Sequence, residues 1–132
     1  MIPVLLLIEY SLSSCTNHEM EIEQNFPFEV SVMPVPSGIA NSQTVEIRVK
    51  ILQQGKYKEN KYFLRYFQFK GKGSLKYYDN SPYLQNDLYQ IPQNEFRLYY
   101  TSQSDESESF DIWISDSFGN EKKLTFEFDN SN

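Results

Sequence analysis

The chain has 132 residues, 39% of them hydrophobic and 16% aromatic. That is the length of one domain with enough apolar side chain to bury a core, so disorder is not the default. One cysteine, Cys15, excludes an internal disulfide, and one histidine, His18, leaves little material for a zinc site or a histidine-activated nucleophile. The formal charge of −6 is unevenly spread: residues 15–47 hold five acids and no base, residues 48–76 nine bases and one acid, and residues 77–132 three bases and eleven acids. A basic middle between acidic flanks either neutralises itself in the fold or leaves a polarised surface.

The chain opens MIPVLLLIEYSLSSC. The apolar run Ile2 to Ile8 is shorter than the roughly 20 residues of a membrane-spanning helix and has the form of an export signal's apolar region. Leu12-Ser13-Ser14-Cys15 has the order of a bacterial lipobox. Small residues let a peptidase reach the backbone, and the thiol takes the lipid. Residues 1–14 are therefore expected to form a lipoprotein-type signal segment, Cys15 to be the lipidation site, and residues 15–25 to be a polar tether off the membrane. Glu9 and the lack of a Lys or Arg before the apolar run depart from the usual signal pattern. The alternative is an ordinary N-terminal strand with a buried thiol.

Residues 26–132 read as one domain of strands. Phe28, Val30 and Val32 alternate with Glu29 and Ser31, and MPVPSG (Met33 to Gly38) breaks the strand because proline cannot donate to a ladder. Val45, Ile47, Val49 and Ile51 alternate with Glu46, Arg48 and Lys50. A turn at Gln53 to Lys58 leads into Tyr62 to Phe69, which Gly71 and Gly73 end. Ser74 to Tyr78 reads as a short edge strand, and Asp79 to Pro82 as a turn. Three further alternating runs follow, on Phe96, Leu98 and Tyr100, on Phe110, Ile112 and Ile114, and on Leu124, Phe126 and Phe128. Ser102 to Ser109 (SQSDESES) reads as a solvated loop, and Asp116 to Asn120 (DSFGN) as a hairpin turn. Seven or so short strands without a helical period predict an all-β, immunoglobulin-like β-sandwich, with a small barrel as the alternative.

The stretch Lys61 to Gly73, KYFLRYFQFKGKG, interleaves aromatic and basic residues. Alternation puts Tyr62, Leu64 and Tyr66 on one face and Phe63, Arg65, Phe67 and Phe69 on the other. In an immunoglobulin-like order this is strand C, with the Phe110 to Ser115 strand beside it and the Leu124 to Asp129 strand beyond. Phe63, Arg65, Phe67 and Trp113 then share an outer face. Trp, Phe and Arg are favoured interface anchors, so the patch is a candidate interaction site; the bland reading is that the chain's own tether or a loop covers it. Nucleic-acid binding by stacking is disfavoured, because the protein is acidic overall. Tyr77, Tyr78, Tyr83 and Tyr89 surround the Asp79 to Asp87 loop and form a secondary candidate binding loop. No catalytic constellation, metal-ligand spacing or phosphate loop is present, and Asp105, Glu106 and Glu108 lack the spacing of a calcium loop. The reading is a protein that is not an enzyme, needs no cofactor and holds no metal.

The stretches FPFEVSVMPV (Phe26 to Val35), RYFQ with GKGSL (Arg65 to Gln68, Gly71 to Leu75), FRLYYTS (Phe96 to Ser102) and DSFG with LTFEF behind it (Asp116 to Gly119, Leu124 to Phe128) resemble the TraQ-type conjugal transfer proteins of Bacteroides-type conjugative transposons. The likeness spans roughly residues 19–130, a whole domain. It implies a small secreted or lipid-anchored protein encoded with a transfer apparatus and without assigned catalytic residues. The expected function is that of a non-enzymatic component of the mating apparatus, acting by protein–protein interaction. Its expected partners are other transfer proteins and, through the lipid anchor, the membrane, with no direct contact to nucleic acid. Its expected place is the cell envelope, as a periplasmic or outer-membrane lipoprotein. The alternatives are a cell-surface adhesion or glycan-binding module using the tyrosine-rich loop and, third, a cell-wall hydrolase.

Overall fold

The structure, a computed structural model, describes residues 27–54 and 60–131. The expected signal segment, Cys15, the expected tether with His18, and residues 55–58 of the turn expected at Gln53 to Lys58 lie outside the described residues. Among the described residues there are nine strands: β1 (Phe28–Val32), β2 (Gly38–Ile39), β3 (Thr44–Gln53), β4 (Tyr62–Lys70), β5 (Gly73–Tyr77), β6 (Tyr89–Ile91), β7 (Glu95–Ser102), β8 (Glu108–Asp116) and β9 (Glu121–Asn130). They form two sheets, ordered β1-β3-β7-β5 and β2-β9-β8-β4-β6. The first is the A-B-E-D sheet of an immunoglobulin sandwich, and β9-β8-β4 is its G-F-C sheet. The expected neighbours of Tyr62 to Phe69 are therefore the observed ones.

Nine strands replace the expected seven because β2 and β6 are only two and three residues long. Alternation needs about four residues to show in a sequence. The prolines of MPVPSG end β1, and the chain crosses to the other sheet, where β2 pairs parallel to β9. All other pairings are antiparallel.

The inward positions behave as their alternation demands. Val45, Ile47, Val49 and Ile51 of β3 are buried, as are Tyr62, Leu64 and Tyr66 of β4 and Phe110, Ile112 and Ile114 of β8. Antibody domains tie their two sheets with a disulfide; here aromatic pairs bridge them. Tyr100 of β7 stacks on Phe110 of β8 with ring centroids 4.3 Å apart, and Phe28 of β1 meets Tyr62 of β4 edge to face at 5.1 Å. Pairs of this kind add about 0.5–1.5 kcal/mol each beyond the area they bury.

The acid-rich stretch SQSDESES is not a uniformly solvated loop. Ser102 and Glu108 are each only 1% exposed. Glu108 is the first residue of β8, in phase with Phe110 and Ile112, so the pleat turns its carboxylate inward. There it accepts hydrogen bonds from the hydroxyls of Tyr100, Ser102 and Ser104. Asp105 and Glu106 stay exposed, so the three acids do not converge. Gly71 and Gly73 make room for this cluster. A Cβ on Gly71, which sits at φ 68°, would overlap the Glu108 side chain, and one on Gly73 would overlap the Tyr100 hydroxyl. Asp116, also buried, caps the DSFGN turn by accepting from the backbone N–H groups of Phe118 (3.0 Å) and Asn120 (2.9 Å).

Burial pushes the phenols of Tyr66, Tyr83 and Tyr100 well above the usual tyrosine range, with the Glu108 hydrogen bond adding to the shift at Tyr100. A folded state that raises a phenol's pKa keeps the full benefit below the unfolded value of about 10 and loses it as pH climbs above that value. In an alkaline titration, the last of the phenolate absorbance should therefore appear together with cooperative loss of circular dichroism. Complete ionisation with the dichroism intact would contradict this.

Candidate interaction face

The outer face of β4 and β8 is assembled by register. Antiparallel pairing sets Phe63 opposite Ser115, Arg65 opposite Trp113 and Phe67 opposite Asp111. All four sequence candidates, Phe63, Arg65, Phe67 and Trp113, are thus brought onto one face, and each is half-buried. The Arg65 guanidinium lies over the Trp113 ring, 4.0 Å from its centre, and its Nη1 donates to Asn86 Oδ1 at 3.2 Å. The planar guanidinium stacks well on the ring, and a pair of this kind contributes about 0.5–1 kcal/mol when exposed. On the far side, Trp113 is opposite Lys123 of β9. The indole therefore sits in a row between two cationic positions.

Phe67 packs edge to face on Phe69 at 4.9 Å, and Phe69, 57% exposed, continues the row. Beyond β6 the loop before it runs along β4. Asn86 N–H donates to the Tyr66 carbonyl at 2.9 Å, and Gln68 N–H to Gln85 Oε1 at 3.0 Å. This loop presents Leu84 and Leu88, 66% and 61% exposed. Sequence reasoning passed over Lys123, Leu84 and Leu88. The two leucines were visible only as isolated apolar residues in a polar loop, and Lys123 became relevant only through its register with Trp113.

The four tyrosines of the secondary candidate have different surroundings. Tyr77 and Tyr83 pack against the core. Tyr83 lies against Tyr89 at 4.6 Å, and the Tyr89 hydroxyl accepts from Leu84 N–H at 2.9 Å. Only Tyr78 of the four is exposed, and its ring turns toward Tyr99 at 6.4 Å. Three of them are therefore engaged in holding their own loop. Among the described residues, no group of three or more His, Cys, Asp or Glu side chains is placed to hold a metal ion.

Solved structures of three Bacteroides proteins are similar to this chain. A conjugative transposon lipoprotein from Bacteroides eggerthii is 43% identical, with a TM-score of 0.75 over 80% of this chain and 100% of that one. A lipoprotein from Bacteroides thetaiotaomicron is 44% identical, with a TM-score of 0.75 over 88% of this chain and 89% of the other. A conjugate transposon protein from Bacteroides vulgatus is 45% identical, with a TM-score of 0.71 over 83% of this chain and 88% of that one. None of the curated proteins matches the chain. The family model described as TraQ conjugal transfer protein matches residues 1–131, and with the sandwich shared by its structural relatives this places the chain in that family: it belongs to the TraQ conjugal transfer proteins.

Proposed function

We propose that the chain serves conjugal transfer as a non-catalytic, lipid-anchored protein of the cell envelope that binds another protein of the transfer apparatus through the outer face of β4 and β8. The observation that carries this reading is Arg65 stacked on Trp113 inside a row of partly exposed aromatics. Trp, Tyr and Arg dominate the binding energy of protein interfaces, and they do so when clustered. A glycan would need the flat face of the indole, and Arg65 lies over that face. The acidic net charge disfavours nucleic acid as the partner.

The anchor rests on the order Leu12-Ser13-Ser14-Cys15 and on two relatives whose names call them lipoproteins. Residues 1–14 are removed on export, Cys15 carries the lipid of a periplasmic or outer-membrane lipoprotein, and residues 15–25 tether the domain of residues 26–132. Several acyl chains together hold a protein stably where one does not.

A mating assay in a donor lacking the gene, complemented with variants, tests both parts. Phe67→Ser combined with Trp113→Ser should lower transfer frequency at least about tenfold, since a single interface anchor can contribute about 2 kcal/mol or more. The purified double variant should keep its dichroism, because both residues face outward. Transfer at the normal frequency would remove the function from this face. In the same strains, Cys15→Ser should abolish incorporation of labelled fatty acid, and incorporation that persists would remove the anchor.

A further inference from the structure

We propose a second binding site on the opposite sheet: a groove across the outer face of β1, β3 and β7 that takes an acidic segment of a partner protein, its carboxylates on Arg48 and Arg97 and its apolar side chains against Met33 and Tyr78. The site is independent of the β4–β8 face and stands or falls without it.

The register of β3 and β7 sets Arg48 directly opposite Arg97. Like charges in directly opposed positions destabilise a sheet, so the pair calls for an anion. One carboxylate serves both. Glu46 Oε1 is 2.6 Å from Arg48 Nε, and its Oε2 is 3.5 Å from Arg97 Nη1. Glu46 also accepts from the Tyr99 hydroxyl at 3.1 Å. The Arg48 hydrogen bond, before the Tyr99 one and the Arg97 charge, holds Glu46 below the usual carboxylate range, so it stays ionised and engaged. Among the described residues, neither arginine has a second carboxylate within 4.0 Å. Two guanidiniums share one anion, and both side chains are about half exposed, at 53% for Arg48 and 46% for Arg97.

Beside them lies a groove of about 430 Å³. Its lining holds three cations, Arg48, Lys50 and Arg97, against a single carboxylate, Glu95. That balance is the reverse of the whole chain's −6. Glu95 is taken up by Lys50 at 3.3 Å. Ser31 and four apolar residues complete the lining; Val49 and Phe96 belong to the core, and Met33, 56% exposed, and Tyr78 are accessible.

Tyr78 supplies a separate observation. Its φ of 50° lies in the left-handed region, where a bulky aromatic is an outlier. A tight turn, closed by Asn80 N–H donating to the Tyr77 carbonyl at 3.0 Å, holds it there. The Tyr78 ring meets those of Tyr77 and Tyr99 in T-shaped contacts, with centroids 4.8 Å and 6.4 Å apart. Packed rings of this kind give an apolar wall for an aliphatic side chain. Methionine adapts to varied apolar partners. Paired guanidiniums match carboxylates in a planar, bidentate way. Together these features select a segment that alternates acidic and apolar residues.

The probe is the blocked pentapeptide acetyl-Glu-Leu-Glu-Leu-Glu-amide, titrated into the isotope-labelled full chain and followed by NMR. Saturable shifts are expected at the Nε–H groups of Arg48 and Arg97 and at the backbone amides of Met33 and Tyr78. Affinity should drop roughly tenfold in Arg97→Gln, as for loss of one charge-assisted contact, and should weaken as salt rises to about 1 M, where screening acts within about 3 Å. The glutamine analogue of the peptide should not bind. Equal shifts from sodium phosphate alone would reduce the site to an adventitious anion and overturn the proposal. Unchanged affinity in Arg97→Gln, or shifts centred elsewhere, would overturn it too. Arginine signals that move when Glu19, Glu21 and Glu23 are changed to Gln in the free chain would show that the chain's own acidic segment fills the groove, and would equally overturn it.

Discussion

Replacing Glu108 by alanine should destabilise the domain by about 2 kcal/mol, because the buried hydroxyls of Tyr100 and Ser102 lose the acceptor they share and only Ser102 has another, the Ser104 carbonyl at 3.2 Å; a group left unsatisfied costs roughly 1–3 kcal/mol. A surface glutamate would give less than about 0.5 kcal/mol. Glu108→Gln should cost about 1 kcal/mol, since it keeps one acceptor oxygen and a hydroxyl can turn to accept from the new amide. Urea unfolding followed by dichroism measures both. A loss at Glu108→Ala no larger than a surface value would mean that the carboxylate is solvated after all. The cluster also explains the glycines that follow the aromatic stretch. GKG resembles a phosphate-binding turn only in composition; its glycines are small because Glu108 and Tyr100 occupy the space beside them.

Ile47→Ala should destabilise by about 2–5 kcal/mol, the range for buried large-to-small changes, whereas Lys50→Ala should cost less than about 0.5 kcal/mol. The two positions lie on one strand, three residues apart. Ile47 is fully buried opposite Leu98, which is equally buried. Lys50 is exposed, and its pairing with Glu95 at 3.3 Å is a surface ion pair, a kind worth about 0–1 kcal/mol at most. A larger loss at Lys50 than at Ile47 would place β3 one residue out of register. Such a slip would also exchange Arg48 with an inward position and destroy the arrangement opposite Arg97.

The two faces of the sandwich carry different chemistry on the same scaffold. The β4–β8 face offers fixed rings with a stacked cation. The β3–β7 face offers opposed arginines beside an apolar wall. Their separation by the aromatic core means that substitutions on one face leave the other's contacts intact, since sites without shared partners behave additively. Variants of Phe67 and Arg97 therefore test the two proposals separately.

Much of this protein was legible from alternation alone. The inward sets on β3, β4, β8 and β9 follow from a period of two, which is a local property of the chain. The same period places Phe63, Arg65 and Phe67 together on the outer side of β4. What alternation cannot specify is which residue of another strand stands opposite. Trp113 meets Arg65, and Arg97 meets Arg48, only because strands about 50 residues apart in sequence pair in one particular register. That register is decided by the fit of both inner faces at once. Glu108 was misread for the same reason. Among serines and acids it looks like loop, and only the extension of β8 by one inward position, against hydroxyls from β7, makes it part of the core. The strands β2 and β6 were missed because two or three residues have no period to read, and they exist as strands only because a longer neighbour offers its edge. The residue pattern of each strand was set by the sequence; the partners across strands, and with them both candidate faces, were decided by the tertiary structure.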